Sequence, residues 1–327
     1  HCLSSFRNHV IAAGTENGSL LIFDVAKPCL RHRFPEAHSE RVVYTEYVDK
    51  DAWVATCSAD ATAKIFDLNA MCGALTLTGH EGPVTWCEMS SVARLIVTSS
   101  VDRTVRLWDI RTGECVASLT GHTDAIVQVR VDPGVDAVMS GGVDHSVRIW
   151  DYRNIRPLHV LEGHSGMVKS IEFDANSIIS SSTDHTLRRW DRVSGALLHV
   201  YQGHTGPVQN FHALWEKNLI VSGSLDRSVR VWNITSGENI RTLKGHDGAV
   251  SALMMSMDGS IVSGDTNGQI RVWNFNERKC VRTLQGHSSA VTCLRPNPDM
   301  YYPQFVSASL DKRIRQLQFH ALLTKRK

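Results

Sequence analysis

Apolar and polar residues alternate over short stretches of the chain, and each stretch ends at turn residues. Between residues 121 and 161 the stretches are AIVQVRV, AVMSGG, HSVRIWD and PLHVL, each rich in β-branched residues and bounded by Gly, Asp, Asn or Pro. Short segments of this composition are typical of β-strands, and hairpin connections need these turn residues. Helical periodicity is weak throughout the sequence. The pattern therefore predicts an all-β protein.

The third of these stretches is repeated along the chain. DHSVRIWD at 144–151 returns as DRTVRLWD at 102–109, DHTLRRWD at 184–191 and DRSVRVWN at 226–233, with weaker copies at 17–24, 60–67, 267–274 and 311–318. Asp144, His145 and Ser146 are the residue types of a hydrolase triad, but neighbours on one strand point to opposite faces. Sister copies also replace His145 by Arg103 or Arg227. We therefore interpret these residues as scaffold and turn rather than as a triad.

A Gly-His dipeptide recurs in step with this motif. It begins at residues 79, 121, 163, 203, 245 and 286, at spacings of 42, 42, 40, 42 and 41, and Ala37-His38 forms a seventh mark. A period of about 40–45 residues with Gly-His and Trp-Asp marks is the signature of a four-stranded propeller blade. On these two motifs the sequence resembles the WD40-repeat family over essentially its whole length. The resemblance implies a WD40 β-propeller.

Counting the copies predicts eight blades of four antiparallel strands. The third strand occurs eight times, and Cys2-Leu3-Ser4 aligns with Cys293-Leu294-Arg295, so an eighth first strand begins where the chain begins. The alternative is seven blades plus an extra hairpin, which would leave an exposed edge of the kind that proteins normally avoid. Only nine residues follow Gln318, so we expect the last blade to borrow its outer strand from a preceding segment or to end incomplete.

Each unit also carries a His, a Ser or Thr, an Asp and a Trp in a fixed order. In the family that the chain resembles, the indole N–H meets the hydroxyl, the hydroxyl meets the histidine, and the histidine reaches the aspartate, so that buried polar groups satisfy one another. Repetition once per blade indicates structural tetrads rather than a catalytic or metal cluster. Four tetrads are complete: His80, Thr98, Asp102, Trp108; His122, Ser140, Asp144, Trp150; His164, Ser180, Asp184, Trp190; and His204, Ser222, Asp226, Trp232.

The other units depart from the full tetrad. Asn267 replaces Asp beside His246, Phe66 replaces Trp beside His38, and Leu317 replaces Trp beside His287, which predicts weaker blades toward both termini. An arginine two residues before Trp recurs and is interpreted as scaffold, at Arg106, Arg148, Arg188, Arg230, Arg271 and Arg315.

Arg189 is an exception within the repeat. DHTLRRWD places this cation where sister copies have an aliphatic residue, and a buried unpaired charge is costly. We expect either a carboxylate partner for Arg189 or a blade edge that is open to solvent.

We expect partner recognition to depend on positions that differ between blades, because a fold alone does not determine what a protein binds. In WD40 propellers generally, partners dock on the narrow face around the central channel, and two repeat positions reach it: the residue after the first-strand Val or Ile, and the residue before the turn Asp. With two flanking residues, the predicted partner-binding set is Arg41, Val101, Val143, Met167, Lys169, Gln209, Leu225 and Leu310. The alternative is that the aliphatic members only pack against neighbouring loops.

The composition of this set favours a peptide with an apolar anchor and an acidic group. Propellers of the F-box and WD40 type that capture phosphorylated motifs need several arginines converging on the channel, because bidentate guanidinium contacts hold phosphate. The two series of channel positions lack arginine. A lipid-binding propeller would carry Phe-Arg-Arg-Gly, and the nearest match, LRRW at 187–190, departs from it at both ends.

Overall composition excludes several classes of protein. Thirty-five Lys and Arg against 33 Asp and Glu give a net charge of +2, so neither nucleic acid nor membrane is expected as a partner. Eight cysteines without a CxxC pair predict free thiols and no zinc site, and no metal or cofactor is expected. The absence of a secretory leader and of an 18-residue apolar span favours a cytoplasmic or nuclear location.

We expect residues 1–327 to form a single propeller domain, and we interpret the chain as a fragment lacking its N-terminal region, because it opens at His1. The sequence predicts a non-catalytic scaffold that docks partner proteins or peptides on the rim and narrow face, as a subunit of a multiprotein complex. Two alternatives stay open. One is the substrate-receptor module of a ubiquitin ligase, which a preceding F-box would settle. The other is the regulatory or targeting propeller of a larger enzyme or motor protein.

Overall fold

The strands form a ring of antiparallel sheets. The computed structural model describes residues 2–3, 10–24, 29–48, 52–90, 92–255, 259–275, 279–296 and 304–318. Within these residues there are eight sheets, of which seven have four strands and the last has three. The prediction of an all-β propeller with eight blades is confirmed, and the alternative of seven blades is wrong. The helical content of the described residues is one short 3-10 turn at Trp215–Lys217.

Each sheet is a meander in chain order. Blades 1 to 4 contain β1 (Cys2–Leu3), β2 (Val10–Gly14), β3 (Leu20–Asp24), β4 (Cys29–Phe34); β5 (Val42–Val48), β6 (Trp53–Ser58), β7 (Ala63–Asp67), β8 (Cys72–Leu77); β9 (Val84–Ser90), β10 (Leu95–Ser100), β11 (Thr104–Asp109), β12 (Cys115–Thr120); and β13 (Ile126–Asp132), β14 (Ala137–Gly142), β15 (Val147–Asp151), β16 (Arg156–Leu161).

Blades 5 to 8 follow the same plan. They contain β17 (Val168–Phe173), β18 (Ser177–Ser182), β19 (Leu187–Asp191), β20 (Leu197–Tyr201); β21 (Val208–Leu214), β22 (Leu219–Ser224), β23 (Ser228–Asn233), β24 (Asn239–Lys244); β25 (Val250–Met255), β26 (Ser260–Asp265), β27 (Gln269–Asn274), β28 (Lys279–Gln285); and β29 (Val291–Pro296), β30 (Gln304–Ser309), β31 (Ile314–Gln318).

The first strands form the inner wall of the ring. Each first strand contacts the first strands of both neighbouring blades, and β29 contacts β1, which closes the ring. As the alignment of Cys2-Leu3 with Cys293-Leu294 predicts, β1 pairs with β2 as the first strand of blade 1. The expectation for the outer strand of blade 8 concerns residues beyond Gln318, which lie outside the described residues.

In blades 3 to 7 the Trp of the third strand is buried against the blade before it. Trp108 of blade 3 packs with Ile65 and Leu77 of blade 2, and Trp150 of blade 4 packs with Val105 and Leu107 of blade 3. Truncating a buried aromatic residue typically costs about 3–5 kcal/mol. Because these contacts cross between sheets, the stability of one blade depends on its neighbour.

The outer strands carry a recurrent irregularity. In blade 3, Leu107 pairs with Ala117 but Trp108 pairs with Cys115, so the register skips Val116. Such a β-bulge bends the strand and interrupts its pairing. Blades 1 to 7 share the shift, and the skipped residues are Arg31, Ala74, Val116, Leu158, Leu198, Ile240 and Val281.

Candidate functional site

The four predicted tetrads lie as hydrogen-bonded groups inside blades 3 to 6. In blade 6 the Trp232 indole N–H donates to Ser222 Oγ at 2.8 Å, Ser222 Oγ lies 2.8 Å from His204 Nε2, and His204 Nδ1 lies 2.7 Å from an Asp226 carboxylate oxygen. The sets containing His80, His122 and His164 repeat this chain, with each contact between 2.6 and 2.9 Å. The structure therefore brings all sixteen predicted tetrad residues together, four in each blade.

Protonation follows from the surroundings of these groups. Burial lowers the pKa of His204 below its ordinary value, against the opposing effect of Asp226, so the imidazole is neutral at physiological pH. Burial raises the pKa of the Asp226 carboxyl, but hydrogen bonds from Ser228 and His204 outweigh it and bring the pKa down to about 2. The consistent assignment has Nδ1–H donating to the carboxylate while Nε2 accepts from the hydroxyl. Both ring nitrogens are thus occupied, and neither is left for proton transfer to a substrate.

The DHS stretch at 144–146 takes part in the scaffold. One Asp144 carboxylate oxygen binds His122 at 2.7 Å, and the other accepts from the Ser146 backbone N–H at 3.1 Å and from its hydroxyl at 2.9 Å. His145 lies exposed on the turn, with a φ of 66°. Arg103 and Arg227 occupy the same left-handed turn position, with φ of 70° and 67°. The three adjacent residues therefore have separate local roles.

Blade 7 corrects one expectation from the sequence. Asn267 stands in the Asp column, but a carboxylate from two residues earlier, Asp265, reaches His246 Nδ1 at 3.0 Å. His246 Nε2 lies 2.6 Å from Ser263 Oγ, which accepts the Trp273 indole N–H at 2.8 Å. The tetrad of blade 7 is therefore complete. Its carboxylate comes from the end of β26 instead of from the turn, so alignment by columns does not reveal it.

The tetrad of blade 2 is shortened as the sequence predicts. His38 contacts Asp60 at 2.9 Å and Thr56 at 2.8 Å, but Phe66 has no N–H to donate to the Thr56 hydroxyl. That hydroxyl therefore lacks its indole donor, and it lies 3.3 Å from the backbone carbonyl oxygen of Lys64, a contact that Thr98 also makes in blade 3. In blade 8, His287 contacts Asp311 at 2.9 Å and Ser307 at 2.8 Å, while the side chain of Leu317 lies outside the described residues.

Arg189 meets neither of the two surroundings expected for it. Its side chain is half-buried, and it donates to Ser177 Oγ at 3.1 Å and to the Ile234 carbonyl of blade 6 at 3.4 Å. No carboxylate of the described residues lies within ion-pair distance of it. Neutral oxygens and partial hydration replace the carboxylate, so this cation joins two blades. It is a structural contact and not a rim residue.

We call the predicted partner-binding residues the narrow-face rim: Arg41, Val101, Val143, Met167, Lys169, Gln209, Leu225 and Leu310. In blade 3 the Val101 N–H, just before the turn Asp, donates to the Pro83 carbonyl at 3.0 Å, two residues before Thr85. The pairing of β9 with β10 skips Thr85, which is therefore the bulged residue of the inner strand. The same hydrogen bond occurs in blades 2 to 8, donated by Ala59, Val101, Val143, Thr183, Leu225, Thr266 and Leu310 at 2.8 to 3.1 Å.

The inner bulge recurs in every blade from 2 to 8. The skipped residues are Val43, Thr85, Val127, Lys169, Gln209, Ser251 and Thr292. These are the positions after the first-strand Val or Ile, so both predicted series meet at one place in each blade. The bulge re-aims its side chain, as bulges do at functional sites.

Exposure differs among the rim residues. Val101, Leu225 and Leu310 are 45, 40 and 53 % exposed, a degree of exposure that skipped outer-strand residues such as Val116 and Leu158 share. Arg41 is also exposed, whereas Val143, Met167, Lys169 and Gln209 are half-buried. The structure brings Met167 and Lys169 together in blade 5, and Gln209 and Leu225 together in blade 6. The other four each stand on a blade of their own, at equivalent positions of the ring.

A second set of inner-strand residues was missed by the sequence reasoning. We call Glu46, Glu88, Arg130, Glu172 and His212 the inner charge ring, because they occupy one position of the first strands of blades 2 to 6. Arg130 contacts Glu88 at 3.4 Å, and His212 contacts Glu172 at 3.4 Å. The signal was a charged position within otherwise apolar strands, recurring once per repeat.

The inner charge ring connects neighbouring blades through the backbone. Glu46 accepts the Met89 N–H of blade 3 at 2.8 Å, Glu172 accepts the Ala213 N–H of blade 6 at 2.7 Å, and Arg130 donates to the Ile171 carbonyl of blade 5 at 3.2 Å. First strands of adjacent blades belong to separate sheets, so these side chains supply hydrogen bonds that a ladder does not. Burial, reinforced by Glu88, raises the pKa of Glu46 to about 8.

The closed ring of meander sheets and the recurring tetrads define the class of the protein. It is a β-propeller built from sequence repeats, and its ionisable groups hold the blades together. The family model described as "WD domain, G-beta repeat" matches residues 74–109, 113–151, 155–191, 195–233, 237–274 and 278–316. The chain therefore belongs to the WD40 family, whose propellers are typically non-catalytic scaffolds that bind protein partners. The family model covers blades 3 to 8 in large part, and the structure adds the two blades before them.

Comparison with solved structures gives the same architecture. A crystal structure of the computationally designed Ika8 protein is similar to this chain, with a TM-score of 0.87, 27% sequence identity, and coverage of 97% of this chain and 95% of that chain. No curated protein matches the chain. Among the described residues, no helix has the length and apolar character needed to span a bilayer.

Proposed function

We propose that the protein is a non-catalytic interaction scaffold that docks partner proteins or peptides on the narrow-face rim. The observation that carries the proposal is the exposure of Val101, Leu225 and Leu310 at a position whose backbone hydrogen bond recurs in blades 2 to 8. Exposed apolar residues in register around a ring offer contact area without contributing to the core. The tetrads support the non-catalytic part, because their histidines use both ring nitrogens inside the blade.

The partner that fits this rim has an apolar anchor and an acidic group. Lys169 lies in blade 5, between the blades that carry Val143 and Leu225, and no carboxylate of the described residues pairs with it. An acidic side chain placed beside an apolar anchor would meet Lys169 and Leu225 together. A doubly charged phosphate needs several converging arginines, and the rim carries a single arginine, Arg41, in blade 2. The apolar peptide is therefore favoured over a phosphorylated one.

A quantitative pull-down tests this assignment. We expect Leu225→Asp and Lys169→Glu to reduce the recovery of partner proteins about tenfold, since losing an anchor costs about 1.4 kcal/mol or more. Leu158→Asp is the matched control, because Leu158 is 42 % exposed but lies on the outer strand β16. Recovery of every partner at wild-type levels by both rim variants would rule out this rim as the docking surface.

A further inference from the structure

A pocket of about 390 Å³ opens on the side of the ring, at the junction of blades 1 and 2. We call it the side pocket. Its apolar wall is formed by Phe34, Phe66 and Leu75, and the rings of Phe34 and Phe66 lie 4.8 Å apart between centroids. Lys64 and Glu36 are its charged lining residues. Pockets of this size with an apolar wall and few polar groups are typical ligand sites.

The side pocket exists because blade 2 lacks three residues of the repeat: the arginine, the tetrad Trp and the glycine of Gly-His. In blades 4 to 7 an arginine guanidinium lies over the tetrad indole, with its carbon 5.7 to 6.0 Å from the ring centroid. The glycine of Gly-His packs against both groups; a Cβ on Gly121 would lie 2.8 Å from Arg148 and 3.2 Å from Trp150. In blade 2 these residues are Lys64, Phe66 and Ala37, so the stacked pair is absent.

The outer strand also leaves this position uncovered. Gly73 pairs with Phe66 in the register of β7 and β8. The residues opposite the tetrad Trp in the other blades all have side chains: Cys115, Pro157, Leu197, Asn239 and Cys280. A Cβ built on Gly73 would meet a single neighbour, the Phe66 ring, at 3.8 Å. Space that an indole and a guanidinium fill elsewhere is therefore open to an external group.

Lys64 is the one cation among the residues that line the side pocket. Lys64 is half-buried, and no carboxylate of the described residues lies within ion-pair distance of it. The lining also contains one acid, Glu36, which is exposed and does not pair with Lys64. An occupant with negative charge beside an apolar group is favoured.

We propose that the side pocket binds an acidic peptide segment of a partner protein through one aromatic side chain. The aromatic ring packs against Phe66 and Phe34 in the tilted geometry that aromatic pairs prefer, and a flanking carboxylate meets Lys64. None of the narrow-face rim residues lines the side pocket. A partner that uses both would be held at two points of the same propeller.

Fluorescence polarisation with labelled peptides tests the proposal. The probes are Glu-Asp-Trp-Asp-Glu and the same peptide with Ala for Trp, and we expect saturable binding of the first alone. Gly73→Leu fills the pocket at a position without a positive φ and should weaken binding about tenfold or more. Lys64→Glu should weaken binding as well. Cys115→Leu, at the same register position of blade 3, should bind as the wild type does.

Each remaining outcome contradicts the assignment. Binding by Gly73→Leu at wild-type strength, with an unchanged melting temperature, would show that the peptide sits elsewhere. Equal binding of the alanine probe would remove the aromatic anchor. Sedimentation velocity could show that the wild type dimerises in a concentration-dependent way and that Gly73→Leu does not. That result would identify a second copy of the chain as the occupant of the side pocket. Loss of peptide binding in Leu225→Asp but not in Gly73→Leu would assign the peptide to the rim.

Discussion

The carboxyl of Glu46 should make the stability of the propeller depend on pH, and Glu46→Gln should reduce that dependence. Glu46 accepts the Met89 N–H at 2.8 Å, a bond that the glutamine carbonyl oxygen can keep. The substitution therefore removes the charge while the inter-blade hydrogen bond remains. Its effect on the free energy of unfolding reports the ionisation of Glu46, while Glu88, whose carboxyl pKa burial also raises, titrates in both proteins.

The sign follows from the raised pKa. In the unfolded chain Glu46 ionises near its ordinary pKa of 4.5, whereas in the folded protein burial raises the pKa to about 8. The folded state therefore holds a proton that the unfolded state releases, and stability is lost as pH rises from about 4.5 through about 8. This difference in pKa corresponds to about 5 kcal/mol as an upper limit. We expect about 2–4 kcal/mol, because Arg130 and nearby water rearrange around the ionised group.

The assay is urea denaturation followed by tryptophan fluorescence at pH 5, 7 and 9. Wild type and Glu46→Gln should have similar stability at pH 5, and the variant should become the more stable protein at pH 9 by about 2–4 kcal/mol. Glu172→Gln is the control, since Glu172 accepts the Ala213 N–H at 2.7 Å and has His212 beside it. A Glu46→Gln difference that stays constant from pH 5 to 9 would refute the reasoning.

Two further predictions concern the tetrads. Asp144→Ala leaves the buried His122 N–H without its acceptor, so the free energy of unfolding should fall by about 1–3 kcal/mol while binding at the rim is unaffected; an unchanged melting temperature together with lost binding would contradict this. In blade 7, Asp265→Ala should cost about 2–4 kcal/mol because this carboxylate is fully buried and accepts from His246, whereas Asn267→Ala should cost about 0.5 kcal/mol or less. Denaturant titrations of both variants measure these losses in the free energy of unfolding. A larger loss for Asn267→Ala than for Asp265→Ala would indicate that Asn267, and not Asp265, belongs to the tetrad.

The period of the sequence was sufficient to predict the blades and their tetrads. Motifs that recur in phase constrain strand order, because each unit must present the same faces to both neighbours. Asp265 shows where such reasoning fails. A column alignment assumes that one backbone position supplies the carboxylate, but a side chain at the end of β26 reaches the same histidine by a different path. Whether two groups form a hydrogen bond depends on the distance between donor and acceptor, and a column of the repeat alignment contains no information about that distance.

The inner charge ring was missed for a related reason. Its partners lie 40 to 43 residues apart in neighbouring blades, as in the bond from Met89 to Glu46 and the bond from Ala213 to Glu172. Reading one repeat at a time treats Glu46 as a polar residue on a strand. The side pocket escaped notice in the same way, because the exchange of Trp for Phe66 predicted a weaker blade but not the space beside Gly73.

The skipped residues of the outer strands bear on how the molecule behaves in a crowded solution. The last strand of an open sheet has a row of unpaired amide and carbonyl groups. An extended segment of another molecule can form hydrogen bonds with this row and so begin aggregation. A propeller has one such outer strand in each blade, so the number of exposed strand edges grows with the number of blades. One misaligned residue in each outer strand of blades 1 to 7 breaks the row before it is long enough to act as a template. We therefore expect these bulges to hinder strand pairing between the outer edges of two propellers.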